Sequence, residues 1–383
     1  MLWFEPEKTQ SENEDMNDIS KQVDDSEDSD VEGLDRDEDI SFGDYPIDTV
    51  LIRNENRTVH DVLRRIEKGN FVMDPDFQRD FIWPEEKQCK LIESVMMRIP
   101  LPVFYLAENT KGQMIVVDGL QRLSTFQRFV NNELKLKLSH QNELHGKHFR
   151  DLSPKLQNRV EDCNLVLYII DAKVPTQALL DIFEPVNGGV PLTRQQMRNC
   201  LYSGKSTQFL KAEAANKLFV RSTGGSLNTK TMRDRELINR YCAFELLDLA
   251  RYKGDMDDFL AKALEEMNRL PNSELEHLSA KFRASMRNNY NVFGKHAFRK
   301  HQSAHDSRSV INASLWDVMS IGLSRYPESL IEANIEELRV AFYNLMKNGI
   351  FREAISLGTN QVNRVNARFK LAKTMLEEVL GDY

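Results

Sequence analysis

The chain has 383 residues, 41% apolar and 29% charged, enough for one large domain or two with a sizeable core. Its four cysteines, Cys89, Cys163, Cys200 and Cys242, form no CxxC pair, which excludes a disulfide framework or cysteine zinc site and points to a reducing cytoplasm. No apolar run approaches membrane-spanning length, and the start, Met1-Leu2-Trp3-Phe4-Glu5, lacks the features of a signal peptide; a cytoplasmic protein without a membrane partner is expected.

The net charge of −8 is unevenly spread. Of 51 Lys/Arg and 59 Asp/Glu, residues 1–44 hold 3 and 17, a net of −14; residues 45–383 keep 48 and 42, a net of +6. The first stretch is too poor in apolar residues to fold and is expected to be a disordered acidic arm, either solvated or competing with phosphates for a basic surface. From about Ile47 the chain alternates short strands and helices. Val50-Leu51-Ile52 reads as a strand, and Thr58 caps a helix that ends before Gly69. Phe71-Val72-Met73 is a short strand. Pro84 opens a helix with core stripe Leu91, Ile92, Val95, Met96 and Ile99, broken by Pro100 and Pro102. Val103–Leu106 and Met114–Val117 pair as a hairpin across the turn Asn109–Gly112, and Leu165–Ile170 is a further strand. From about Pro175 the apolar spacing is helical, ending in a helix marked by Leu371, Met375, Leu376 and Val379. The expected fold class is α+β: a small mixed domain over residues 45–172, then a larger all-helical domain over residues 173–383.

Three constellations carry chemistry. In Ile115-Val116-Val117-Asp118-Gly119-Leu120-Gln121-Arg122-Leu123 a strand feeds a helix through a tight turn, leaving backbone N–H groups free to hold an anion. Arg122, in the first helical turn, opposes the macrodipole unless a negative group sits nearby, which hints at a phosphate. The plainer reading makes Asp118 the N-cap, with Gln121 completing something close to a capping box. The second is Asp74–Pro84, in which Gln78-Arg79 repeats the type of Gln121-Arg122. Two guanidinium forks on one ligand suit a triphosphate or a nucleic-acid backbone, whereas Arg79 pairing with Asp76 or Asp80 makes only a surface bridge. The third is Asp181–Asn199, in which a helix ends at Pro185, a glycine loop follows, and Thr193 caps the next helix; it is a hinge or a close approach of backbone to ligand.

Taken in order, Phe77-Gln78-Arg79 with Trp83, Ile92-Glu93-Ser94 with Ile99-Pro100-Leu101-Pro102, Asp118-Gly119-Leu120-Gln121-Arg122, and Asn187-Gly188-Gly189 with Leu192-Thr193 to Arg198-Asn199 resemble the N-terminal domain of GmrSD-type modification-dependent restriction endonucleases, related to the ParB/sulfiredoxin superfamily. The likeness covers roughly residues 47–205. It implies a ParB/sulfiredoxin-like nucleotide-binding, NTP-hydrolysing module in systems that restrict foreign DNA. By position, Asp118, Gly119, Gln121 and Arg122 match the Asp-Gly-x-Gln-Arg signature, Gln78 and Arg79 the preceding Gln-Arg motif, and Asn187 with Arg198 the asparagine–glycine loop and following helix. The resemblance implies that these residues bind nucleotide, with Arg122 and Arg79 neutralising phosphoryl charge and Asp118 orienting water or holding a divalent ion such as Mg. DNA and a partner nuclease or other defence subunit follow as implied partners. Leu120 stands where glutamine is commonest, and Pro185-Val186 replace the usual Arg-Leu.

The His-Asn-His nuclease pattern of longer relatives is not found. His296, His301, His305 and Asn312 cluster among Lys295, Arg299, Lys300 and Arg308, as a nuclease site, a basic phosphate-facing surface or a solvated loop. Arg364, Arg368, Lys370 and Lys373 read as a solvated face of the last helix. The functional readings are an NTPase of a defence system, a non-catalytic ParB-like nucleotide- or DNA-binding switch, and an intrinsic DNA-nicking nuclease.

Overall fold

A computed structural model describes residues 31–34, 52–73, 83–109, 112–139, 141, 143–171, 174, 178 and 193–382. A five-stranded sheet is built from β2 (Ile52–Thr58), β3 (Phe71–Val72), β4 (Phe104–Glu108), β5 (Met114–Asp118) and β6 (Asn164–Ile170), in the order β2-β6-β4-β5-β3. β4 pairs antiparallel with β5 as the expected hairpin and parallel with β6; β3 runs parallel to β5. Val50 and Leu51 lie outside the described residues. Of the strand expected there Ile52 is described, and from it β2 runs to Thr58 through Arg53, Glu55 and Arg57, which an apolar pattern does not reveal. β2 is an edge strand, where charges discourage pairing with other chains.

Local chemistry sets the helix starts. Thr58 Oγ1 accepts from the Asp61 N–H to open α1 (Val59–Glu67), and Pro84 precedes α2 (Glu85–Met96). α3 (Leu120–Val130) follows β5 directly, and α4 (Pro154–Glu161) precedes β6. One sheet face, with Phe104, Leu106, Val116, Leu165 and Leu167, buries the apolar stripes of α1, α2 and α3: Val62, Ile92, Val95, Leu123 and Phe126. The other face is covered by α5 (Arg194–Leu201), whose Met197 packs with Val117 and Ile170 and whose Cys200 packs with Ile115. Thr193 opens α5 with a full capping box to Gln196.

Beyond α5 the described residues are almost wholly helical. α6 (Lys205–Ala214), α7 (Lys217–Thr223), α8 (Arg233–Leu246), α9 (Met256–Arg269) and α10 (Asn272–Phe293) precede a short strand, β7 (Ile311–Asn312). α11 (Ala313–Leu323), α12 (Glu328–Ala333), α13 (Ile335–Lys347), α14 (Gly349–Ala354) and α15 (Val362–Leu380) follow. Their common core is centred on Trp316, whose indole N–H donates to Leu237 O at 2.7 Å. Among the described residues no helix is long and apolar enough to cross a membrane.

Two expectations change. Inside the acidic arm, β1 (Val31–Glu32) pairs parallel with β7, and Val31 enters the helical core while Glu32 pairs with Lys300. Val31 is one of few apolar residues in the arm, and burying it contributes about 1.5–3 kcal/mol; the expectation of disorder along the whole arm therefore fails at residues 31–34. Arg368, read as part of a solvated face, is instead fully buried and bonded to Asp317 and Thr359 O, because α15 turns that side inward.

Candidate functional site at the turn between β5 and α3

Asp118 ends β5, Gly119 turns the chain, and Leu120 begins α3. Gly119 has φ +101°, and a Cβ built there would sit 2.2 Å from Phe104 Cδ1, so glycine is required both by conformation and by space. The N-cap is Gly119, without a side-chain cap bond. The capping box expected from Asp118 and Gln121 does not form. Gln121 Oε1 instead accepts from the Trp83 backbone N–H at 3.0 Å. Gln121 therefore ties the turn to the first described residue after the stretch that contains Gln78 and Arg79.

Arg122 is buried. Its Nη2 donates to Asp118 Oδ2 at 2.8 Å and to Val103 O at 3.0 Å; Nη1 donates to Pro102 O, and the guanidinium lies over the Phe104 ring, 4.1 Å from its centre. Burial pulls Arg122 below its ordinary pKa, and Asp118 opposes that pull. The negative group that Arg122 requires near the helix N-terminus is thus Asp118, four residues earlier. Asp118 keeps 30% of its side chain exposed, so its carboxylate is oriented by the arginine and open to solvent.

A β-bulge sits beside the turn. Tyr105 pairs with Asp118 but Leu106 with Val116, leaving Val117 as an extra residue in β5. Such bulges re-aim side chains and recur next to active sites. Tyr105 packs against Tyr168 with ring centres 5.5 Å apart, and burial, with Tyr168 and Asp118 nearby, raises its pKa.

The other expected site residues fare differently. Gln78, Arg79 and Asn187 lie outside the described residues. Arg198 is described and does not face the turn. Fully buried on α5, it donates from Nε to Gln195 at 3.0 Å, from Nη2 to Glu236 at 3.2 Å and from Nη1 to Asp257, which also pairs with Arg194. Its charge is answered by α8 and α9 while Met197 and Cys200 meet the sheet. Arg198 is a strut between sheet and helices. The residues that the sequence reading passed over are Phe104, the platform beneath Gly119 and Arg122, and the carbonyls of Pro102 and Val103. The four-residue spacing of Asp118 and Arg122 is the signal that finds the ion pair from sequence.

Two of the clustered histidines, His296 and His301, are internal. His296 and His301 stack with ring centres 4.9 Å apart, and His301 packs among Phe293, Phe342 and Tyr343. Asn312 caps α11 through Leu315 N, and Arg299 is buried with its pKa drawn down to about 10 by burial and Arg308. Lys300 is paired with Glu32. Buried His296, His301 and Asn312 do not fit a nuclease centre: the two histidines fill an aromatic pocket and Asn312 caps a helix, while Lys295, His305 and Arg308 are exposed. Among the described residues no group of three or more His, Cys, Asp or Glu is placed to hold a metal ion.

No curated protein and no solved structure matches the chain. Residues 59–203 match the family model described as GmrSD restriction endonuclease, N-terminal domain. That span opens at α1, passes through the Asp118–Arg122 turn and closes just after α5, the helix that covers the second face of the sheet. The matched span leaves the edge strand β2 outside and holds β3–β6 with the helices on both sheet faces, and it is similar to that N-terminal domain.

Proposed function

We propose that the chain is the nucleotide-binding, NTP-hydrolysing module of a DNA restriction or anti-phage defence system, with its reactive centre at Asp118. The observation that carries this reading is the partly exposed carboxylate held by a buried arginine at a glycine turn, within a span matching a restriction endonuclease domain. The family match supports the defence context and a DNA partner; a neighbouring nuclease subunit is part of the same proposal.

A nucleotide fits the turn through the first backbone N–H groups of α3, which have no preceding helical turn to bond to. A divalent cation fits there as an ion carried by the nucleotide phosphates, since Asp118 supplies one carboxylate. Such an ion, when bound, neutralises phosphate charge. Asp118 then accepts a proton from, or orients, the attacking water, and Arg122 fixes the carboxylate in place. In this reading Arg122 is a positioning residue, and any cation acting directly on phosphate is supplied from elsewhere, with Arg79 the candidate. Asn187, Gln78, Gln121 and Gly119 complete the nucleotide contacts, and Arg198 supports the fold.

One observation favours the second reading, a non-catalytic nucleotide- or DNA-binding switch: Arg122 is already bonded to Asp118 and two carbonyls. Phosphate release from ATP, GTP, CTP and UTP by the parent and by Arg122→Lys decides between them. The NTPase reading expects turnover of at least one nucleotide and an Arg122→Lys rate reduced about ten- to a hundredfold. Nucleotide or DNA binding without any turnover establishes the switch. Metal-dependent plasmid nicking that Asp118→Asn abolishes establishes the nuclease reading.

A further inference from the structure

A cleft of about 490 Å³ opens between the C-terminal end of α2 and α4, at the sheet end where β6 begins and β5 delivers Asp118. Its volume lies within the usual range of small-ligand sites. Three cations line it, Arg98, Lys155 and Arg159, against one carboxylate, Asp162. Elsewhere in this domain one carboxylate, Asp61, binds three cations, Arg57, Arg64 and Arg65. Among the described residues none of the three has a carboxylate partner; Arg159 donates Nη1 to Met96 O at 3.0 Å and keeps a buried Nε without a partner there. Arg98 holds a left-handed backbone, φ +61°, which an arginine adopts at some cost. The lining also includes apolar Val95, Ile99 and Leu101, and Ile99 is half-exposed although large and hydrophobic.

We propose that this cleft binds one nucleotide unit of a DNA strand, with its phosphate on Arg98, Lys155 and Arg159 and its sugar or base on the apolar lining residues. Unpaired guanidinium and ammonium groups around a concave site attract phosphate, and the apolar residues add contact with a ring. The site connects to the turn by a short path. Leu101 lines the cleft, and the next two residues, Pro102 and Val103, present the carbonyls that hold Arg122. DNA seated there lies one chain segment from the Asp118 carboxylate. The inference rests on the proposed function for its DNA partner, though not for its geometry.

The test uses the full chain with Arg98→Glu and Lys155→Glu combined, both exposed positions, and fluorescence anisotropy of short labelled duplex and single-stranded DNA at several salt concentrations. The expected result is at least about a tenfold loss of DNA affinity, with the slope of log affinity against log salt falling by about 1 per cation removed. The melting temperature and NTP turnover remain those of the parent. Parent-like DNA binding by the variant overturns the proposal, as does an absence of DNA binding by the parent. Labelled AMP is titrated in parallel; AMP binding that the double variant abolishes while DNA affinity stays parent-like makes the ligand a free nucleotide and overturns the DNA assignment. Turnover is read separately, so loss of NTP hydrolysis in the parent counts against the proposed function and leaves this result standing.

Discussion

Two arginine–carboxylate arrangements in this molecule have opposite surroundings. In the helical region Asp317 is fully buried and accepts from Arg240 at 2.8 and 2.6 Å and from Arg368 at 2.8 Å. At the turn, Asp118 accepts from one arginine and faces solvent. Three buried charges locked to one another have no capacity left for a ligand, and removing any one leaves an uncompensated ion. A carboxylate pinned on one side and open on the other is oriented and still accessible. The same pair of residue types therefore builds a fold in one place and poises a reactive group in the other, and accessible area of the acid distinguishes them.

The largest expected effect lies on the structural side. Asp317→Ala leaves two guanidinium groups buried without a counter-ion and is expected to cost about 3–5 kcal/mol, read from the urea midpoint. Parent-like stability in that variant would break the comparison. Next comes Gly119→Ala, which forces a side chain into a left-handed backbone and into the Phe104 ring. A loss of about 2–3 kcal/mol is expected, with NTP turnover abolished, because the platform under Arg122 must move.

A smaller effect concerns pH. Burial lowers the pKa of His301 below its ordinary value of 6.5. The unfolded chain therefore binds the proton more readily, so this contribution to stability is present above about pH 6.5 and is lost as pH falls below it. His301→Phe, a ring placed among Phe293, Phe342 and Tyr343, is expected to flatten the fall in melting temperature between neutral and mildly acid pH. An unchanged slope would show that His301 does not report on the helical core. The smallest expected effect is Lys300→Ala. It removes a partly exposed pair with Glu32 and should shift stability by less than about 1 kcal/mol, a urea midpoint close to the parent's.

Much of the sheet domain was legible because its signals are local. The hairpin of β4 and β5, the Thr58 and Thr193 caps and the Pro84 helix start depend on residues within a few positions of one another. The turn at Gly119 was legible as a turn and misread in detail, since Asp118 bonds to Arg122 rather than capping α3. What escaped depends on distant partners. Arg198 meets Glu236 and Asp257, Arg368 meets Asp317, and Val31 reaches β7 across most of the chain. A charged residue reads as solvated until its counter-ion is located. The same limit hid the histidine stack, whose aromatic surroundings come from α10 and α13.

The most direct measurement is NTP turnover by Asp118→Asn alongside its thermal unfolding. Asparagine still accepts from Arg122, so the melting temperature should stay near the parent's while turnover falls at least about a hundredfold, the usual scale for losing a general base. Turnover equal to the parent's in a normally folded Asp118→Asn would contradict the assignment of the reactive centre to this carboxylate.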